Sequence, residues 1–139
     1  GNKMNSSNEV SPDTVVIADP EQMKKVINNI ISNSVKYMDK PNGHIDIRIL
    51  DEVDAIRVEI EDNGKGIAQK DLQKIFERFY RTDASRNSAQ GGSGIGLSIV
   101  KKIIEDHGGY VWATAKEGEG TCMHFVLRKY IELQQGGTK

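Results

Sequence analysis

The chain has 139 residues, with 19 Lys and Arg against 20 Asp and Glu and so a formal net charge of −1; at roughly 100–200 residues per domain this is one domain, large enough to bury about two-thirds of the surface its unfolded form exposes without a metal or disulfide staple. The charge balance lacks the basic excess of a general nucleic-acid binder, so no nucleic-acid partner is expected. The single cysteine, Cys122, excludes an intrachain disulfide and fits a reducing compartment, no apolar run approaches the ~18 residues of a membrane helix, and no signal peptide is expected at the start.

Residues 1–13 are polar and lack periodicity, which predicts a frayed linker or expression remnant. The run Thr14–Ala18 reads as a short strand. Asp19-Pro20-Glu21 then supplies an N-cap and a proline for the first helical position. Met23, Val26, Ile27, Ile30, Ile31, Ser34 and Met38 recur at helical spacing and predict a helix over about 20–38, broken by Pro41-Asn42-Gly43. In His44–Leu50 and Ala55–Glu61 apolar residues alternate with polar ones. Each is therefore a strand with one buried face, and together they form a hairpin around an acidic turn. A glycine-rich loop leads to a predicted helix of about ten residues near Gln69–Phe79. Thr82–Gly92 is small and polar, and reads as a mobile loop. Gly94–His107 is a third helix, stopped by Gly108-Gly109. Tyr110–Ala115 and Thr121–Leu127 form a last hairpin around Glu117–Gly120. The domain proper is expected over residues 14–128, with a loose tail over 129–139. This order predicts an α/β fold of the two-layer α+β sandwich kind: one mixed, largely antiparallel sheet with about three helices on one face.

Three segments carry chemistry. On the first helix Asn29, Asn33 and Lys36 stand at i, i+4 and i+7, within roughly 60° of one another, on a strip beside the apolar stripe. A carboxamide oxygen suits Mg²⁺, which takes few protein groups and keeps several waters. A lysine one turn on can reach phosphate oxygens. Taken alone, a solvated polar face is the plainer reading of this strip. Asp62-Asn63-Gly64-Lys65-Gly66-Ile67 leaves a strand. Its glycines let backbone approach a ligand closely, and a carboxylate there can accept a hydrogen bond from an exocyclic amine such as adenine's. Asp-Asn-Gly is also a favoured turn sequence, and alone it reads as one. Gly91-Gly92-Ser93-Gly94-Ile95-Gly96-Leu97 opens a helix, whose N-terminal amides bind phosphate well. The spacing matches neither the dinucleotide fingerprint nor the P-loop, so neither site is supported. A hinge is the alternative, made less apt by four glycines in six residues.

In this order and separation the segments resemble the catalytic, ATP-binding domain of bacterial sensor histidine kinases. That family shares a superfamily with type II topoisomerases, ninety-kilodalton heat-shock chaperones and mismatch-repair ATPases. Asn29–Tyr37 matches the asparagine box, Asp62–Ile67 the first glycine box, Ile75–Arg81 the phenylalanine box, and Gly92–Leu97 the second glycine box, continuing to His107-Gly108-Gly109. Glu117–Thr121 resembles the family's last turn. The likeness covers about residues 14–127.

The resemblance implies roles at matching positions. Asn33 would ligate Mg²⁺, with Asn29 helping to hold ion and phosphates. Lys36 would contact phosphate and Tyr37 would pack near the nucleotide. Asp62 would read the adenine amine, with Gly64, Gly66 and Ile67 lining the base. Tyr80 and Arg81 would stand at the phosphate side of a lid, Thr82–Gly91, and Gly92, Gly94, Gly96 and Leu97 would carry the lid and the phosphate-binding helix start. Asn29, Lys36 and Arg81 would be the catalytic set. ATP-hydrolysing relatives carry glutamate at the position of Asn29. An amide accepts no proton at neutral pH and cannot serve as a general base. That suits transfer to a histidine and disfavours hydrolysis. The family's phosphoacceptor histidine lies in a separate helical domain, and His44, His107 and His124 lack its sequence context, so structural roles are expected for them. The resemblance thus implies a monomeric, cytoplasmic catalytic unit binding Mg·ATP. Its parent would be a homodimer anchored in the bacterial inner membrane, passing phosphate to its own dimerisation and phosphoacceptor domain and from there to a response regulator. An ATP-hydrolysing relative, a serine-directed anti-sigma kinase and a degenerate binding module are the alternatives. The phenylalanine box favours the sensor kinase over the second, and the intact Asn33, Asp62 and glycines disfavour the third.

Overall fold

The structure, a computed structural model, describes residues 3–78, 80 and 96–130. Helix α1 spans Pro20–Lys36. It begins where the sequence predicts, because Asp19 accepts hydrogen bonds from the backbone amides of Glu21 and Gln22 at 2.9 and 3.3 Å and Pro20 fills the position where no amide is needed. Its apolar stripe buries Val26 and Ile30 completely. Helix α2 is described over Gly96–Asp106 and buries Leu97, Val100, Ile103 and Ile104. It stops as predicted. Gly108 takes φ +79°, its amide bonds Glu105 O, and the Gly109 amide bonds Ile104 O, both at 3.0 Å, the paired closure of a Schellman motif.

The strands are β1 (Lys3–Asn8), β2 (His44–Asp51), β3 (Ala55–Asp62), β4 (Val111–Lys116) and β5 (Gly120–Arg128), in spatial order β1-β2-β3-β5-β4. Only β1–β2 is parallel, so the predicted mixed, largely antiparallel sheet is what forms. Ile45, Ile56, Val58, Ile60, Met123, Phe125 and Leu127 point from the sheet to both helices and make the core.

Three expectations are corrected. The opening is no frayed linker at Lys3–Asn8, which forms edge strand β1. Every residue of it is exposed, so backbone pairing to β2 holds it and no hydrophobic pattern betrays it. Thr14–Ala18 is not a strand: only a Val16–Lys129 bridge forms, and Val15 and Ile17 face solvent at 58% and 47% exposure. The ten-residue helix expected near Gln69–Phe79 does not form over the described residues 69–78. A 3₁₀ turn covers Gln69–Asp71, followed by further tight turns such as Lys74 N–H to Asp71 O and Glu77 N–H to Lys74 O. Ile75 is buried and Phe76 packs against the core, and the chain bends to seat both. Of the predicted tail, Lys129 and Tyr130 are tied by backbone bonds to Asp54 and Val15, and residues 131–139 lie outside the described residues.

The other face of the sheet is polar. Arg48 bonds Glu59 and Glu61, each at 2.9 Å. His124 Nδ1 donates to Glu59 Oε2 at 3.1 Å, its Nε2 accepts from the Thr114 hydroxyl at 2.9 Å, and its ring stacks on Trp112, centroids 4.9 Å apart. Burial pushes His124 below its ordinary pKa against the pull of Glu59. Burial also opposes ionisation of Glu59, but the Arg48 hydrogen bond with the His124 and Arg57 charges outweighs it and holds the carboxyl low. An imidazole whose folded pKa is depressed contributes stability above its unfolded value near 6.5 and loses it as pH falls through that value. The melting temperature is therefore expected to drop between about pH 7 and 5.5, and His124→Gln, followed by circular dichroism, to flatten that drop. An unchanged slope would remove His124 from the effect.

Candidate nucleotide site

The site is built where the end of α1, the loop leaving β3 and the β4–β5 turn meet. Asp62 ends β3, paired with Ile45 on one side and Thr121 on the other. Its Oδ1 accepts from the amides of Gly64, 2.9 Å away, and Thr121, 3.3 Å away. Its Oδ2 has no hydrogen-bond partner among the described residues, so a carboxylate fixed by one oxygen offers the other. The loop is tightly seated. Gly66 takes φ +76°, and a Cβ there would stand 2.4 Å from Lys116 O. Gly120 takes φ +134°, and a Cβ would stand 1.9 Å from Asp62 O. Only glycine allows these strands and turns to close on one another. The Lys65 amide reaches Tyr37 O at 3.4 Å, and the Gly118 amide bonds Lys65 O at 2.8 Å. Asn63 anchors the loop to the stretch before β2, accepting from the His44 amide at 2.8 Å and donating to Asn42 O at 3.3 Å.

Asn29, Asn33 and Lys36 are all half-buried on α1, and neither carboxamide has a partner among the described residues. Tyr37 caps the helix. The ammonium groups of Lys36 and Lys65 each stand 5.3 Å from its ring centroid, so one aromatic ring at the helix end takes two cations. Lys65 escapes the sequence reading; its place between two glycines was the only sign. Tyr80 is half-buried and its hydroxyl bonds the buried carboxylate of Asp71, which ties the end of the phenylalanine box to the 3₁₀ turn. Ile67 packs partly buried against the core, and Leu97 lies within it, so the Leu97 side chain serves packing. Gly96 opens the described part of α2. Arg81, Gly92, Gly94 and the expected lid Thr82–Gly91 lie outside the described residues.

Two histidines are held structurally. His107 Nε2 accepts from the Asp19 amide at 3.1 Å and its Nδ1 donates to Ile103 O at 2.7 Å, locking α2 to the start of α1. His124 is engaged through both ring nitrogens on the far face of the sheet.

Residues 18–131 match the family of histidine kinase-, DNA gyrase B- and HSP90-like ATPases. The chain is 40% identical over 125 residues to the sensor histidine kinase WalK of Bacillus subtilis (strain 168), covering 88% of this chain and 20% of that protein. Among solved structures, the mycobacterial sensor histidine kinase MprB superposes with a TM-score of 0.80 at 28% identity, over 94% of this chain and 86% of that one. The catalytic domain of histidine kinase ThkA, in a nucleotide-free form, gives 0.76 at 31% identity, over 91% and 80%. The chain belongs to this ATPase family, as a catalytic ATP-binding domain of the sensor histidine kinase type. It spans only a fifth of the length of the WalK relatives it matches.

Proposed function

We propose that the chain binds Mg·ATP and presents the γ-phosphate to a histidine on a separate dimerisation and phosphoacceptor domain of the same kinase, from which a response regulator is phosphorylated. One observation carries the nucleotide reading: Asp62 is held through Oδ1 beside a glycine cradle and keeps Oδ2 for a donor. An adenine amine is such a donor, and the close-packed backbone at Gly66 suits a flat base.

Mg²⁺ fits the donors present. Among the described residues no cluster of three His, Cys, Asp or Glu exists that could hold a metal, whereas the half-buried amides of Asn33 and Asn29 offer hard oxygens beside a lysine. That is the sparse protein set Mg²⁺ takes when phosphates and waters complete its shell. Asn33 would hold the ion, Asn29 would support it, and the ion when bound supplies charge neutralisation at the phosphates. Lys36 adds a cation on the same strip, and Arg81 is proposed as a second. Catalysis is then positioning and electrostatic relief. Asn29 abstracts no proton, so water is not activated, and the acceptor imidazole is its own nucleophile. The parent is proposed to be a membrane-anchored homodimer with this domain on the cytoplasmic side; no described helix is long and apolar enough to cross a membrane.

The test mixes the chain with its parent's helical histidine domain and γ-labelled ATP. The expected product is label on that domain, labile to acid and stable to base, with no label on His44, His107 or His124. Transfer is slow because separation removes the tether's effective concentration. Acid-stable phosphoserine on a partner would point to the serine-kinase relatives instead. Steady hydrolysis near the median enzyme's ~10 s⁻¹ would return the chain to the hydrolases.

A further inference from the structure

We infer that Lys40 is a positioning residue for the base end of this site, an inference that rests on the nucleotide reading above. Lys40 lies four residues beyond α1 and outside every motif. Its Nζ donates to Gly64 O and to Gly118 O, each at 2.9 Å, with the Asp39 carboxylate 3.6 Å away. One ammonium thus bridges carbonyls of two loops far apart in sequence, the first glycine loop and the β4–β5 turn. These two loops confine Asp62. Gly64 supplies one of the amides that fix Oδ1, Thr121 just beyond the turn supplies the other, and Gly118 also donates to Lys65 O. Charge-assisted bonds to carbonyls are stronger than neutral ones, and at the half-exposed Lys40 they act across a seam that also closes through the Gly118 amide on Lys65 O and the Thr121 amide on Asp62 Oδ1. No other described side chain donates to both loops. Without the bridge the two loops part more readily, Asp62 loses its fixed aim, and discrimination between bases declines while the phosphate end, built on α1, is untouched.

The experiment compares wild type, Lys40→Met, Lys40→Gln and Lys40→Arg. Without ligand, amide exchange at Gly64–Gly66 and Gly118–Thr121 is expected to quicken in Lys40→Met and to return towards wild type in Lys40→Arg, whose guanidinium keeps several donors. By calorimetry, Lys40→Met is expected to bind Mg·ATP about tenfold more weakly. The ATP-to-GTP affinity ratio narrows, Lys40→Gln falls between, and Lys40→Arg recovers. Binding of inorganic tripolyphosphate with Mg²⁺ stays unchanged. Unaltered exchange in Lys40→Met, or equal losses for ATP, GTP and tripolyphosphate, would overturn the inference. A wild type that binds no adenine nucleotide while its loops still loosen in Lys40→Met would instead sink the nucleotide reading and leave the clamp standing.

Discussion

Asp62→Asn is expected to weaken ATP binding by about ten- to a hundredfold while leaving the melting temperature nearly unchanged. The fold tolerates the change because Oδ1 accepts from two amides, those of Gly64 and Thr121, and a carboxamide oxygen can do the same. That orientation forces the new NH₂ into the place of Oδ2. The acceptor that faces an adenine amine becomes a donor, and donor meets donor. A hydrogen bond to a charged group is worth about 1.5–3 kcal/mol, and about 1.4 kcal/mol is a decade in affinity. The same NH₂ suits a ring carbonyl such as guanine's, so the ATP-to-GTP preference shrinks as ATP affinity falls. Calorimetry with both nucleotides and a thermal melt of each protein decide it. Equal wild-type affinities for ATP and GTP, or a variant that binds ATP as well as wild type, would remove Asp62 as the reader of the base.

What the sequence makes legible follows from where periodic burial coincides with local chemistry. Asp19-Pro20 and the Val26–Ile30 stripe write α1 plainly, because cap, proline and apolar spacing agree. The β2–β3 hairpin is equally plain, since Ile45, Ile47, Ile56, Val58 and Ile60 alternate inward. The misses lie where tertiary partners decide. Strand β1 is exposed throughout, with Met4 its one apolar residue, and exists because β2 offers it an edge to pair with. Thr14–Ala18 has strand propensity, but its backbone pairs among the described residues only around the Val16–Lys129 bridge, and β-propensity needs a partner to be realised. At Gln69–Phe79 the apolar spacing suits a helix, yet Ile75 and Phe76 are drawn into the core while Asp71 is held by Tyr80, and tight turns satisfy both. In the site, Asp62 and the glycines are visible as a motif. What fixes them is not: Thr121 ends a recognisable turn, but its backbone amide has no letter of its own, and a lysine at position 40 reaching carbonyls at Gly64 and Gly118 leaves no spacing to read.

Asn33→Ala is expected to cut phosphotransfer to the histidine domain by about a hundredfold or more, the scale of removing one preorganised electrostatic group from a reacting phosphate. It is expected to do so without unfolding the chain. Asn33 is half-buried, beside rather than within the Val26–Ile30–Ser34 stripe that α1 buries, and its carboxamide has no partner among the described residues to orphan. Alanine also favours the helix slightly. The discriminating readout is the metal. In wild type, ATP affinity is expected to rise on adding Mg²⁺ and to fall back with EDTA. In Asn33→Ala that response largely disappears while affinity in EDTA stays at the wild-type level, because Asp62 and the glycine loop still hold the base. Should the variant keep its full Mg²⁺ response and lose transfer anyway, Asn33 would touch the phosphates directly and the ion would rest on Asn29. Should it keep both, the strip Asn29–Asn33–Lys36 would be the solvated helix face that its sequence alone also allows.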